Sequence, residues 1–162
     1  MKWFFLCWRK YAQFKGRARR KEYWWFTLIM SVIFFLLLFI LSIYGNAVEE
    51  PKFSTRSLLI LMAILMISYV PAAAVMTRRL HDIGKSGKWT VTYIAITMIV
   101  QYLINYMSLN AFGFLILLAY IVFNTIFIIW LARDSQPGDN PWGPNPKASP
   151  ANVSPISNTV TE

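Results

Sequence analysis

The chain has 162 residues, of which 57% are hydrophobic and only 14% are charged, and its formal net charge is +9. Because about a quarter of the residues of a soluble domain are charged, this composition excludes that class and indicates a membrane protein. The single cysteine, Cys7, excludes an intramolecular disulfide bond and a cysteine metal cluster.

Residues 1–23 form a basic amphipathic segment. Its apolar side chains recur every three or four residues, at Phe4, Cys7 or Trp8, Tyr11 and Phe14. This spacing predicts an interfacial helix whose apolar side lies among lipid headgroups while its basic residues meet anionic lipid. Membrane topology and lipid attraction already explain the positive charge, so no nucleic-acid partner is expected. The apolar run that follows is too long for a signal peptide and is expected to be retained.

Three charge-free runs follow, at 23–48, 57–77 and 89–132. About 20 apolar residues cross a bilayer, whereas a single helix over the last run would extend about 66 Å. That run is therefore expected to turn back near Ser108 to Gly113, where polar residues and glycine interrupt it. The prediction is an all-α, polytopic domain at 24–132 with four transmembrane helices, at 24–44, 57–77, 89–107 and 112–132.

The basic residues fix the expected orientation. Eight precede the first span, four lie between spans two and three, and two follow span four, whereas the loop between spans one and two has only Lys52 and Arg56. Because Lys and Arg concentrate in cytoplasmic segments, both termini are predicted to be cytoplasmic.

Polar residues on one face of span three are expected to point into the bundle. They recur at intervals of three or four residues and are expected to meet span four near Tyr120 and Asn124. Interhelical hydrogen bonding is the favoured use and a polar path is the alternative. The candidate polar interior is Thr97, Gln101, Asn105 and Asn124.

The tail at 133–162 is rich in proline and is predicted to be cytoplasmic and disordered beyond about Lys147. Before that point, Gly138 to Pro146 is predicted to form a turn-rich element with one aromatic anchor, Trp142.

The segment from Arg78 to Lys88 is predicted to be a short cytoplasmic loop and holds the best candidate for chemistry. His81 and Asp82 stand there among four cations, and a proton relay or a metal site would need further ligands to converge. A structural role is favoured, so no catalytic residue, cofactor or metal is predicted. The candidate cytoplasmic motif is Glu22, His81, Asp82, Gly84, Gly87 and Trp89.

Three separated motifs carry a family resemblance. They are FKGRARRKEYW from Phe14 to Trp24, RRLHDIGKSGKW from Arg78 to Trp89, and GDNPWGPNP from Gly138 to Pro146. Together they resemble domain-of-unknown-function family 805, the YhaH-type bacterial inner-membrane proteins. The resemblance implies a location in the bacterial inner membrane and a small helical fold, and it supplies no activity.

Three functions remain open. The favoured hypothesis is a nonenzymatic interaction or scaffold protein that binds anionic phospholipid or a membrane protein partner, or forms a homo-oligomer, through a cytoplasmic basic face. The candidate contacts are Arg17, Arg19, Arg20, Arg78, Arg79, Lys85 and Lys88. The alternative is a small oligomeric transporter or channel lined by the polar face of span three. An enzyme acting on lipid headgroups through His81 and Asp82 is least favoured, because no recognised catalytic motif accompanies them.

Overall fold

The computed structural model describes residues 2–47, 51–106 and 111–147. Five α-helices make up the regular structure of that part of the chain. They are α1 (Lys2–Arg9), α2 (Arg20–Ala47), α3 (Pro51–Asp82), α4 (Lys88–Tyr106) and α5 (Ala111–Ala132).

Three of these helices are long and apolar enough to cross a membrane, over Arg20–Ile43, Thr55–Asp82 and Phe112–Ala132, and α4 contributes a shorter apolar stretch, Lys88–Ile104. The prediction that the 44-residue run forms two helices is confirmed, since α4 ends at Tyr106 and α5 begins at Ala111. Half of the proposed turning point, 108–110, lies outside the described residues, and the other half, 111–113, belongs to α5. The tail from 148, which was predicted to be disordered, also lies outside the described residues.

The prediction that Arg78 begins a loop is wrong, because α3 continues to Asp82. No helix breaker occurs between Arg78 and Gly84, and Arg79 and His81 in the last turn favour the negative end of the helix dipole. The helix closes when Gly84 adopts a φ of +78°, which suits glycine. The amides of Gly84 and Lys85 then donate to the carbonyls of His81 and Leu80, at 3.1 and 2.9 Å.

The interfacial helix is shorter than the apolar spacing suggests. Helix α1 ends at Arg9, and residues 13–19 run without regular structure to the start of α2. Gly16 turns this segment with a φ of +93°. The amide of Ala18 donates to the carbonyl of Arg78 at 3.0 Å, so the chain leaves the helical path to pair with the end of α3.

Helix α3 is the centre of the bundle, because it contacts α1, α2, α4 and α5. A core lies at one end of the bundle, where α1, the beginning of α2 and the ends of α3 and α5 meet. Its buried apolar members are Cys7, Ala18, Tyr23, Phe26, Val75, Leu80, Phe127 and Leu131. Many apolar side chains elsewhere on α2, α3 and α5 are more than half exposed, as helices surrounded by lipid require.

The polar face of α4 is only partly directed into the bundle. The hydroxyl groups of Thr90 and Thr77 lie 2.9 Å apart, and the Tyr93 hydroxyl donates to Asn124 Oδ1 at 2.9 Å. Thr97 is half-buried, but Gln101 is exposed, contrary to the prediction. At 3.6 residues per turn, a four-residue spacing drifts by roughly 40° each time, so Gln101 is rotated about 80° from Tyr93. The side chain of Asn105 lies outside what the structure describes.

A tyrosine completes the backbone hydrogen bonding of α3 at its internal proline. Pro71 has no amide hydrogen, so the carbonyl of Ile67, four residues earlier, loses its helical donor. The Tyr11 hydroxyl donates to that carbonyl at 2.7 Å. The segment after α1 is therefore held against the middle of α3 at the point where the helix has a gap in its hydrogen bonds.

We expect Tyr11→Phe to destabilise the fold by about 1 kcal/mol, because the Ile67 carbonyl then has no protein donor. In a Pro71→Ala background the restored amide supplies the donor, and Tyr11→Phe should have little further effect. Unfolding of the four proteins in detergent measures both steps. Equal losses from Tyr11→Phe in the two backgrounds would contradict this explanation.

Candidate functional site

Five charged side chains are buried together at the end of α3, and we refer to them as the clasp: Arg17, Glu22, Arg78, Arg79 and Asp82. Each of these side chains is at most 4% exposed. Glu22 comes from the first turn of α2, Arg17 from the segment before it, and the other three from the last two turns of α3. Burying charge is costly unless each charged group is paired, and the clasp pairs every guanidinium group with a carboxylate, although Arg78 Nε has no hydrogen-bond partner among the described residues.

Asp82 is the centre of one half of the clasp. Its Oδ1 atom accepts from Arg17 Nε at 3.0 Å, and its Oδ2 atom accepts from Arg79 Nη1 and from the Ser135 hydroxyl, the latter at 2.6 Å. Its backbone carbonyl accepts from the amide of Gln136 at 2.8 Å. Asp82 thus joins the N-terminal segment, α3 and the segment after α5 through one side chain and one peptide group.

Arg17 extends this half of the clasp to the motif after α5. Its Nη2 atom donates to the carbonyl of Gln136 at 2.6 Å, and its Nη1 atom donates to the carbonyl of Gly138 at 2.8 Å. The planar guanidinium group presents several donors in a fixed arrangement, which suits it to bind a carboxylate and backbone carbonyls simultaneously. Arg17 therefore fixes the path of the chain through Gln136 and Gly138.

Arg79 joins α3 to the end of α5. Its Nε atom donates to the carbonyl of Leu131 at 2.9 Å, and Nη2 donates to the carbonyl of Arg133. The last carbonyls of a helix have no donor within it, so the guanidinium group caps α5. The Arg79 side chain is fully buried, and the carboxylate of Asp82 balances its positive charge.

The other half of the clasp is the ion pair between Arg78 and Glu22. Arg78 Nη2 lies 2.9 Å from Glu22 Oε1, and Nη1 donates to the carbonyls of Lys10 and Gln13 at 3.2 and 2.5 Å. Cys7 of α1 lies beside the pair, with its Sγ atom 3.9 Å from Glu22 Oε1. This half fastens α1 and the residues that follow it to α2 and α3.

His81 connects the clasp to the third motif. Its Nδ1 atom lies 3.2 Å from the carbonyl oxygen of Gly16, which can only accept, so this nitrogen carries the hydrogen. Its ring stacks on Trp142 with centroids 4.8 Å apart and planes 12° apart. The Asn140 side-chain amide donates to the His81 carbonyl at 2.9 Å. The predicted aromatic anchor of the tail thus packs on the histidine of the central motif.

Gly87 and Trp89 have packing roles. A Cβ atom at Gly87 would lie 2.7 Å from Thr77 Cγ2 and 3.1 Å from His81 Nε2, so the close approach of the chain to α3 requires glycine. Trp89 packs edge-on against Trp130, and Lys85 Nζ lies 3.8 Å from the centre of the Trp130 ring. Lys85 therefore makes a cation–π contact at the junction of α4 and α5.

The structure separates the seven predicted basic contacts. Arg17, Arg78 and Arg79 are buried in the clasp, which contradicts the prediction of an exposed basic face for these three. The reason is that buried Asp82 and Glu22 and several backbone carbonyls take up their donors. The other four, Arg19, Arg20, Lys85 and Lys88, retain at least partial exposure.

Four residues that were not among the predicted site residues complete the site: Cys7, Ser135, Gln136 and Asn140. Ser135 and Gln136 are polar residues in a polar tail, and no local signal distinguishes them. Asn140 lies inside the predicted turn-rich element, where its backbone bridges to Gly143. Among the described residues there is no group of three or more His, Cys, Asp or Glu side chains that could hold a metal ion.

The environment of Cys7 predicts an unreactive thiol. Burial, followed by the negative charge of Glu22, raises the pKa of Cys7 to about 12. Since the thiolate is the reactive form, maleimide labelling of the folded protein near pH 8 should be at least about tenfold slower than labelling of the denatured protein. Mass spectrometry of timed samples measures both rates. Comparable rates would show that α1 does not pack as described.

Comparison with known proteins places these contacts in a family. A family model described as a protein of unknown function, DUF805, matches residues 11–144. The chain is 31% identical over 150 residues to the inner membrane protein YhaH of Escherichia coli K12, with 93% of this chain and all of YhaH covered. It is 32% identical over 93 residues to the inner membrane protein YhaI of the same strain, with 57% of this chain and 71% of YhaI covered.

No solved structure matches the chain. The match to the family model includes all of the clasp and its partners from Gln13 to Gly143. The names of the relatives and the apolar helices show a multi-pass inner-membrane protein. The chain belongs to the DUF805 family of proteins of unknown function.

Proposed function

We propose that this chain is a nonenzymatic membrane protein that binds anionic phospholipid through a basic rim around the clasp. The basic rim consists of six exposed cations at this end of the bundle: Lys2, Arg9, Lys15, Lys21, Lys88 and Arg133. The observation that carries the proposal is the separation of two sets of cations. The arginines of the clasp are buried against carboxylates, whereas the cations of the rim are exposed.

The proposal includes four membrane crossings with both termini in the cytoplasm. Helix α4 has 19 residues and a length of about 28 Å, close to the roughly 30 Å hydrocarbon core of a bilayer. With α4 as a span, the basic rim lies at one membrane surface, where Lys and Arg accumulate on the cytoplasmic side. Each cation near an anionic surface contributes on the order of 1 kcal/mol, so six provide substantial attraction.

The internal bonding of the clasp and of α4 supports this function over the alternatives. Asp82 and Glu22 are already engaged by arginines, and His81 is held between Gly16 and Trp142, so these groups have structural partners. On α4, Thr90 and Tyr93 bond to neighbouring helices. These contacts favour interhelical bonding over a polar path, and a channel remains the weaker proposal.

Selective retention of lipid tests the proposed function. The full chain is reconstituted with equal amounts of phosphatidylglycerol and phosphatidylcholine, extracted in mild detergent and examined by native mass spectrometry. We expect the retained lipid to be enriched in phosphatidylglycerol. Replacement of Lys2, Arg9, Lys15 and Lys21 by Gln should reduce that enrichment by several-fold.

Two controls make the result specific. A variant that exchanges Lys and Arg at the same four positions keeps the charge and should keep the enrichment. A fluorescent reporter that matures only in the cytoplasm, fused after Glu162, should fluoresce in every variant and so report unchanged topology. Unchanged enrichment in the glutamine variant, with normal topology, would refute the role of the rim.

A further inference from the structure

An apolar groove runs between α2 and α3 and is separate from the clasp. It has a volume of about 320 Å³ and extends from Tyr23 and Val75 near the clasp to Leu37 and Leu61 further along the helices. Tyr23 and Leu37 are 14 residues apart on one helix, which corresponds to a groove length of about 21 Å. Half of the hydrocarbon core of a bilayer is about 15 Å thick, so the groove is long enough to follow one leaflet.

The width of the groove identifies what can occupy it. The 320 Å³ is the space open to the centre of a water molecule, and spread over about 21 Å it gives a mean cross-section of about 15 Å², or a diameter of about 4.4 Å. Adding the radius of water, about 1.4 Å, on each side gives a clear width of about 7 Å. An α-helix with its side chains is 10–12 Å across and cannot enter such a space. A single hydrocarbon chain fits, because carbon atoms in van der Waals contact lie about 3.5–4.0 Å apart.

The chemistry of the wall agrees with this width. Met30, Phe34 and Leu65 are among the mainly apolar side chains that line the groove. Ser68 also lines it, but its hydroxyl donates to the carbonyl of Ile64 on its own helix at 2.7 Å. The groove therefore favours an apolar chain over a polar ligand.

The end of the groove nearest the clasp lies beside positive charge. Arg20 precedes Tyr23 by less than one turn at the positive end of the α2 dipole and lies on the same face of the helix as Thr27 and Phe34, which line the groove. The Arg20 side chain is 42% exposed and pairs with Asp134, itself 66% exposed, at 3.1 Å. Such an exposed pair is weak, so lipid phosphate groups, which are concentrated at the membrane surface, can compete with Asp134 for Arg20.

We infer that the α2–α3 groove holds one acyl chain of an anionic phospholipid whose phosphate group binds at Arg20. This inference rests on the proposed function, since it names where one of the lipids attracted by the basic rim is retained. It differs from general lipid contact in predicting a single chain with long residence between two helices of one protomer.

Photocrosslinking tests the inference. The full chain is reconstituted with phosphatidylglycerol that carries a diazirine in the middle of one acyl chain, and a matched phosphatidylcholine probe is used in parallel. Peptide mapping after illumination should place the phosphatidylglycerol label on Met30 or Leu65 several-fold more often than the phosphatidylcholine label. Phe35, which is 67% exposed on the outer face of α2, serves as the control and should take up both probes equally.

A variant that narrows the groove provides a second measurement. Ala72→Leu places a larger apolar side chain in the lining and should reduce labelling at Met30 about fivefold without changing labelling at Phe35. If Ala72→Leu fails to fold, the distribution of label in the native protein still tests whether the groove holds an acyl chain. Labelling at the groove no stronger than at Phe35 would overturn the inference.

The outcomes separate this inference from the proposed function. Suppose that native mass spectrometry shows enrichment of phosphatidylglycerol but the label lies on the outer faces of the helices alone. That result overturns the inference that the groove holds a lipid chain and leaves the role of the rim intact. Absence of enrichment overturns the proposed function. Equal labelling of the groove by both probes would overturn recognition of the phosphate group at Arg20.

Discussion

Replacing Asp82 by Asn should destabilise the protein by about 3–5 kcal/mol, because two buried guanidinium groups then share no negative charge. Arg17 and Arg79 both donate to the Asp82 carboxylate, and the side chains of all three are at most 1% exposed. A loss of this size is a large part of the total stability of a typical domain, about 5–15 kcal/mol. Thermal unfolding in detergent, followed by tryptophan fluorescence, and abundance in membranes measure the effect.

Asp134→Asn is the matched control for this prediction. Asp134 also pairs with two cations, Arg20 and Lys147, but its side chain is 66% exposed. Exposed ion pairs contribute little because water and salt screen them, so this variant should unfold like the original protein. Similar losses in the two variants would show that burial of the Asp82 carboxylate has no special importance.

Replacing Glu22 by Gln should also cause a loss of about 3–5 kcal/mol, because the Arg78 guanidinium group is left buried without a counterion. The expected consequence is local as well as global. Since Arg78 holds the carbonyls of Lys10 and Gln13, a weakened pair should loosen α1 and increase the rate of Cys7 labelling. Lys21→Gln, which changes an exposed neighbour, is the control and should alter neither quantity.

A double replacement distinguishes lost attraction from stranded charge. Glu22→Gln combined with Arg78→Met removes both charges, and the double variant should be more stable than Glu22→Gln alone. If the double variant is less stable than the original protein by the sum of the two single losses, the two side chains act independently. That outcome would contradict the ion pair described here.

The helices were predictable because the signal is one of length and polarity. Long charge-free runs in a chain that must satisfy its backbone in lipid leave the helix as the available structure. The need to divide residues 89–132 followed from membrane thickness, and polar residues and glycine indicated where. The position at which α3 ends was harder to predict from the sequence. Arg78 and Arg79 are typical of the positive boundary of a membrane span. Their helical conformation depends on nearby Asp82 and on Glu22 and backbone carbonyls, which are more than 50 residues away in sequence.

The clasp was predictable as a set of motifs but not as a site. The sequence indicated Glu22, His81, Asp82 and Trp142, because charged, aromatic and glycine residues cluster around them. It did not show that Arg17 would be buried with Asp82, since an arginine in a basic segment ordinarily stays in water. The pairing depends on tertiary contacts that bring residues 17, 82 and 136 together, and such contacts have no periodic pattern in the chain.

Hydrogen exchange at the amides of Ala18 and Gln136 tests most directly whether the three motifs form one clasp. Neither amide belongs to a helix, yet Ala18 donates to the Arg78 carbonyl and Gln136 donates to the Asp82 carbonyl. We expect both to be protected in the native protein and to lose protection together in Asp82→Asn. Exchange of either amide at the rate of an unstructured peptide, while the helices remain protected, would contradict the clasp.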